Sequence, residues 1–326
     1  MRTLVGALAL CLLAVGAAPP PAGPPAPGGP DLLVTDQASR RVLLLDGARG
    51  VWDPEADPAV VKWAFSPVGD ARYADLEPAR SWVYPDEAKV RVYRGRVYVL
   101  ATASFGFAAV VEYPSGRRYW GDALAPGGIE VNPHSIELLP DGRVAVAGST
   151  GDVVRLYAAE QGPVGVPFDS YRLDDAHGLQ WDERRGVLWA LGGDRLVALR
   201  AGGTGARPTL SAVFETPLPS PHGHDLARVA GRADRLWVTT GSAVYQYAPG
   251  RNAFLRDFAG AEGISRARVK SVGDEPVGGR VASTVPEGGL GETWWTREVT
   301  VHRPAGAYRL VNGGLYKARW WLPAGW

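Results

Sequence analysis

Six basic residues, Lys89, His134, His177, His224, Lys270 and Lys317, stand 45, 43, 47, 46 and 47 positions apart. The chain has only four lysines and five histidines against 31 arginines, so most of its rarer cations share one near-constant period. Three neutral imidazoles brought to one point would suit a borderline divalent ion such as zinc or manganese, with coordination positions left open for water or ligand. Three ammonium groups in the same phase would suit an anion. In an arginine-rich chain, lysine at these positions implies a need for a compact point charge rather than a planar fork. Crowded cations also favour the neutral amine, which makes a lysine a base near neutral pH. Lys270, next after the histidines along the repeat, is the candidate for that role. Arg91 and Arg319, two positions beyond Lys89 and Lys317, add positive charge on the same strand face. Two plainer readings stand beside these. Each histidine could simply bond backbone where its repeat begins, and the lysines could form a solvated rim paired with Asp36 or Glu137.

Other chemistries find little support. No acidic residue shares the phase of the six, so an opposed carboxylate pair for glycoside hydrolysis is not expected. There is no Gly-x-Ser-x-Gly elbow, His-Glu-x-x-His helix or phosphate-binding glycine loop. His222 and His302 fall off the period and read as surface or packing residues. The late tryptophans (Trp294, Trp295, Trp320, Trp321, Trp326) read mainly as packing, although such rings can also stack on sugars.

The elements that must position the six follow from the repeat itself. Each basic residue lies in a recurring phrase, as in Pro-His134-Ser-Ile-Glu-Leu-Leu-Pro-Asp-Gly and Ala-His177-Gly-Leu-Gln-Trp-Asp. After each phrase come short β-branched and aromatic runs bounded by Gly, Asp and Ser, such as Arg96-Val-Tyr-Val-Leu-Ala and then Phe107-Ala-Ala-Val-Val-Glu-Tyr. A period of 40 to 50 residues built from such strands is the signature of a β-propeller, one blade per repeat. The N-terminal run from Asp31 supplies second, third and fourth strands but no first. The last residues, Gly314 to Leu322, supply a first strand alone. The expected fold is therefore all-β: a six-bladed propeller of four-stranded blades, closed by a C-terminal innermost strand. Equivalent residues of the innermost strands would then ring a central channel.

Residues 1–17 read as an export signal, with Arg2, an apolar Leu4–Val15 stretch and a small-residue cleavage site at Val15-Gly16-Ala17. The apolar run is too short to span a bilayer. Cys11 is not expected to be acylated, because Leu10 fills a position that needs a small residue. Residues 18–30 form a Pro/Gly tether, and 31–326 a single domain large enough for a sizeable core. The protein is expected to be secreted and monomeric. Its net charge of +1 falls to about zero once Arg2 is removed, so no global field points to nucleic acid or a membrane surface.

The Asn-Pro-His-Ser-Ile-Glu-Leu-Leu-Pro-Asp-Gly phrase at 132–142, with the His-Gly-Leu-Gln-Trp-Asp and His-Asp-Leu phrases, resembles a family of secreted bacterial propellers known as domain of unknown function 6528. The resemblance covers essentially the whole mature chain. It implies export and a propeller but no activity. At the level of chemistry alone, the histidine set is similar to that of propeller polysaccharide lyases of the oligogalacturonate lyase type. Those hold a divalent metal on histidines near the axis, the part that His134, His177 and His224 would play here. The expected function is capture of an anionic small molecule or acidic glycan by Lys89, Lys270, Lys317, Arg91 and Arg319, with a divalent metal on the histidines. The alternative is a metal-assisted lyase that abstracts a proton beside a uronate carboxylate.

Overall fold

The structure is a computed structural model that describes residues 29–158 and 168–323. The expected export signal, Cys11 and nearly all of the tether lie outside the described residues. Six sheets surround one axis. Blade 1 joins the two ends of the chain: Leu315–Trp320 is innermost, followed outward by Leu32–Asp36, Arg41–Leu45 and Val61–Phe65. The innermost strands of blades 2 to 6 are Pro85–Tyr93, Pro133–Leu138, Gly178–Asp182, Leu226–Arg228 and Ser271–Asp274. Within blades 2 to 6 the chain moves outward strand by strand in antiparallel pairs, the expected six-bladed propeller. The closing strand pairs Trp320 with Leu32, Arg319 with Leu33 and Ala318 with Val34.

Two features of the blades go beyond the sequence expectation. Val51–Trp52, on the way from the third to the fourth strand of blade 1, adds a parallel fifth strand to the edge of blade 6, with Trp52 opposite Leu310. Blade 4 ends in a long hairpin, Arg195–Thr204 against Arg207–Pro217, most of whose outer strand is solvated. Its inner half, Arg195-Leu-Val-Ala-Leu, carries a strand-like apolar run, but Gly202-Gly203 and the polar residues of Arg207–Pro217 do not, so the extension and the outer strand gave no clear signal.

The core is not one central mass but six apolar seams, one between each pair of neighbouring blades. Strand periodicity explains this. Successive side chains point to opposite faces, so Leu32, Val34, Leu43 and Leu45 pack toward blade 6 while Leu33, Val42 and Leu44 pack toward blade 2. A strand buried on both faces must be apolar along its whole length, hence runs such as Val-Leu-Leu-Leu at 42–45. The seam between blades 1 and 6 takes Leu315, Ala318 and Trp320 from the closing strand, and Trp52 stacks on Tyr308 at 4.9 Å across it.

A chain ending at Asn312 would lose this strand, expose the backbone edge of Leu32–Asp36 and open the last seam. The expected outcome is aggregation or loss of a cooperative melting transition, read by size-exclusion chromatography and thermal unfolding. A monomeric truncation with the full-length melting curve would refute closure as the source of stability.

Candidate functional site

The six periodic residues do gather at the axis, but in two layers. The innermost strands run in the same sense along it. Lys89 reaches Ser135 and Arg91 reaches Glu137, while Ser135 and Glu137 in turn accept the backbone N–H groups of Leu179 and Trp181. This stepping recurs around the ring. Asp225 accepts from Val272 N at 3.0 Å and Ser271 from Ala318 N at 3.0 Å. The channel-facing edge of one blade thus finds its hydrogen-bond partners on a neighbour, as buried backbone groups must.

In the deeper layer, Lys317 and Arg319 of blade 1 meet Glu87 of blade 2 and Asp225 of blade 5. Arg319 forks onto Asp225, Nη1 to Oδ2 at 2.7 Å and Nη2 to Oδ1 at 2.5 Å, and holds Glu87 at 3.1–3.2 Å. Lys317 Nζ lies 3.3 Å from a carboxylate oxygen of each acid and 3.4 Å from the His134 carbonyl. Lys89 Nζ donates to Ser135 at 3.0 Å and the Leu179 carbonyl at 2.6 Å, with Glu87 3.7 Å away. Lys89 and Lys317 are only 3% and 1% exposed, and Glu87 1%. Burial alone would push both carboxyls up, but Arg319 and Lys317 outweigh it and hold Glu87 and Asp225 below the ordinary carboxylate value. Burial lowers Lys89 to about 8. Farther along, Arg91 forks onto Glu137, with both bonds at 2.7 Å.

These pairings add two facts to the sequence reading. Acidic residues do face the axis, although none shares the phase of the six: Glu87 lies two positions before Lys89, Asp225 one after His224 and Glu137 three after His134. Because each has its own offset, periodicity could not reveal them. Lys89, Lys317, Arg91 and Arg319 are also already matched to internal carboxylates or carbonyls, neither standing open to an outside anion nor forming a solvated rim.

The mouth layer contains His134, His177, His224, Lys270 and Tyr316. Tyr316 takes the place at the mouth that periodicity gave to Lys317, its neighbour on the closing strand. The imidazoles converge, with ring centroids 4.4 Å apart for His134–His177, 4.9 Å for His177–His224 and 6.0 Å for His134–His224. His177 Nδ1 is held by the Asp175 carbonyl at 3.0 Å and its carboxylate at 3.1 Å. His224 Nε2 lies 2.8 Å from the Tyr316 hydroxyl and 3.1 Å from Lys270 Nζ. An ammonium can only donate, so Nε2 is the acceptor and the ring proton sits on Nδ1. Burial, reinforced by neighbouring positive charge, drives His134 and His224 well below the ordinary histidine value, so both are neutral near pH 7. The Nδ1 atoms of both rings are buried without a hydrogen-bond partner. Among the described residues no group of three His, Cys, Asp or Glu side chains is arranged to hold a metal ion.

Lys270 differs from the other lysines of the period. It lies at the mouth, half-buried, over the Tyr316 ring at 5.7 Å, and makes no ion pair among the described residues. Burial, followed by repulsion from Lys317, lowers it to about 8. Asp86, fully buried and bonded to Ser104 at 2.8 Å, is pushed well above the carboxylate range by burial, so its charge does not serve as a counter-ion. Nearby, Gln37 contacts Asp86 and accepts from the indoles of Trp294 and Trp295, tying the blade 6 loop across the start of blade 2. His302 is remote from the mouth, bonded to Ser283 in blade 6, and burial lowers it to about 4.

The deep layer makes a direct prediction. Arg319→Met leaves two buried carboxylates facing Lys317 and Lys89, and breaking a buried pair this way costs about 3–5 kcal/mol. Urea unfolding at pH 7 should show that loss. Carboxyls held below their unfolded value contribute stability that is present above about pH 4 and lost as pH falls through the lower folded value. The wild-type protein should accordingly weaken in acid. An Arg319→Met variant with wild-type stability would mean that the cluster is energetically idle.

Comparison with known proteins agrees with this architecture. The model of a family of unknown function, DUF6528, matches residues 49–325. No curated protein matches the chain. Among solved structures, a protein of unknown function from Bacteroides caccae is similar with a TM-score of 0.55 and 11% identity, over 89% of this chain and 98% of the other. A chain in the mitotic checkpoint complex is similar with a TM-score of 0.52 and 11% identity, over 89% and 84%. A streptogramin B lyase is also similar, with a TM-score of 0.43 and 14% identity over 68% of each chain. At these identities the first two likenesses show the propeller fold alone; no likeness to oligogalacturonate lyase is among the three. Six blades, a closing C-terminal strand and a family match spanning most of the ring lead to one assignment: the chain belongs to the DUF6528 family of unknown function.

Proposed function

We propose that this propeller captures a small anionic ligand, of which an acidic sugar is the leading class, at the mouth formed by Lys270, His177, His224, His134 and Tyr316. One observation carries the reading: among the described residues Lys270 is the lysine of the period with no carboxylate in ion-pair contact, Asp175 acting on it only through space, and the His134 and His224 rings beside it are neutral. A carboxylate there would gain a charge-assisted bond from Lys270, with ring N–H and phenol groups as further donors. The reading narrows the sequence expectation from five cations to one, because the other four already have internal partners. In a catalytic form, Lys270 Nζ would accept the proton beside the ligand carboxylate, a role compatible with a value of about 8.

A divalent ion such as zinc or manganese on His134, His177 and His224 is a second reading. It is favoured by His134 Nδ1, a buried ring nitrogen that lacks a partner; His224 would first have to give up its Nδ1 proton or turn its Nε2 away from Lys270. Ligation would need imidazole nitrogens within roughly 2.0–2.2 Å of one point, hence a rotation of these rings. Metal analysis of the purified protein tests it. Each single His→Ala variant should lose metal and His302→Ala should not; equal content in all of them would dismiss the metal.

For the anion reading, calorimetric titration with galacturonate oligomers at low salt should show binding that Lys270→Met weakens tenfold or more. An isolated exposed attraction would be worth less, whereas losing a partly buried charged bond is worth at least ~1.4 kcal/mol. The ammonium form is complete below about pH 8 and is lost above it, so affinity should fall as pH rises through that value. Lys270→Arg should keep binding and flatten the pH dependence, since arginine stays charged. Unsaturated product absorbing in the ultraviolet would mark the lyase form. Binding that is unchanged in Lys270→Met would overturn the assignment of the mouth.

A further inference from the structure

At the opposite end of the channel, the innermost strands of blades 4 and 5 finish at Asp182 and Arg228. A cavity of about 130 Å³ opens there, lined on its inner side by Arg91, Gln180, Trp181, Arg228 and Arg235. Arg91 is matched by Glu137. The other two guanidiniums are not matched. Arg228 makes no hydrogen bond or ion pair among the described residues, and Arg235 has only the Gln246 side-chain oxygen, 2.8 Å from Nη1. Two buried donors also lack any acceptor, Arg235 Nε and the indole Nε1 of Trp181. The carboxylates of this region do not fill the deficit. Asp182 is engaged by Arg185 at 2.9 Å and by the Trp189 indole at 3.1 Å. Glu183 and Arg184 both sit exposed on the rim.

Buried donors are normally satisfied, and each one that is not carries a desolvation penalty. Cations lining a concave, low-dielectric wall focus positive potential into the cavity. The missing component is therefore an acceptor that carries negative charge and several oxygens. We infer that this cavity is a second oxyanion site, which takes a carboxylate or phosphate group between Arg228, Arg235 and the Trp181 N–H. Water occupies about 30 Å³, so the cavity admits an anionic headgroup rather than a whole glycan. The body of a larger ligand would continue into the adjoining cavity of about 260 Å³, which shares Trp181 and Glu183 and is lined by Tyr93 and Pro140. The site is separate from the histidine mouth: it uses none of the mouth residues, and the ion cluster of Glu87, Asp225, Lys317 and Arg319 lies between the two.

Titration calorimetry on the folded protein tests this with two probes at low salt, inorganic phosphate and D-galacturonate. The probe that binds identifies the headgroup. Arg228→Gln and Arg235→Gln should each weaken that binding about tenfold. Trp181→Phe, which keeps a ring and removes the N–H, should weaken it less, and Lys62→Met, on the outer strand of blade 1, should leave it unchanged. Melting curves matching the wild type would exclude misfolding, and a selenate ion at Arg228 and Arg235 in a soaked crystal would locate the site independently. No binding of either probe, or equal affinity in Arg228→Gln and wild type, would overturn the proposal. Loss of binding in Lys270→Met but not in the arginine variants would assign the ligand to the mouth instead, so the two sites can fail separately.

Discussion

Arg319 and Lys317 face Glu87 and Asp225 on the propeller axis, and the rest of the molecule is arranged around that contact. Four charges withdrawn from water carry a desolvation penalty of several kcal/mol each, recovered only when geometry is close and the remaining donors and acceptors are filled. Here they are: the guanidinium forks onto Asp225, Glu87 receives three cations, and Asp225 also accepts the Val272 N–H. The partners come from blades 1, 2 and 5, which are not all neighbours. The cluster can therefore assemble only when the ring is closed, and both of its blade 1 members sit on the last strand of the chain. Closing the ring and neutralising the axis are one event.

This dependence accounts for the character of the mouth. With Lys317 drawn down to the carboxylates, the closing strand presents Tyr316 instead, whose hydroxyl bonds His224. Lys89 is likewise turned inward to Ser135 and the Leu179 carbonyl. Of three lysines in phase, one remains to face the mouth. Two of its three histidine neighbours are held neutral by burial, and among the described residues no carboxylate pairs with it directly. Fields from the deeper cations reach it with little screening, and repulsion from Lys317 helps to bring Lys270 toward neutral pH.

Farther out, the electrostatics give way to packing. Each of the six seams takes alternate side chains from two blades, so no blade has a core of its own and none is expected to fold alone. The parallel addition of Val51–Trp52 to blade 6 extends the same logic at the rim, since Trp52 fills the seam that the closing strand also completes.

The sequence by itself determined the number of blades, the order of strands within them and the role of Gly314–Leu322, because strand period and repeat length are local properties written once per blade. It also determined that the six periodic residues reach the axis, since a shared phase in a ring is a shared radius. It could not determine which cations would be neutralised there. Glu87, Glu137 and Asp225 lie at three different offsets from the periodic residues, and their approach to Arg319, Arg91 and Lys317 spans 46 to 232 positions of chain. Only the closed ring brings such distant side chains within hydrogen-bond reach. The tertiary structure alone therefore separated Lys270 from the other four cations predicted to bind ligand. It likewise left Arg228, Arg235 and Trp181 unmatched at the far end, where no common spacing marks them.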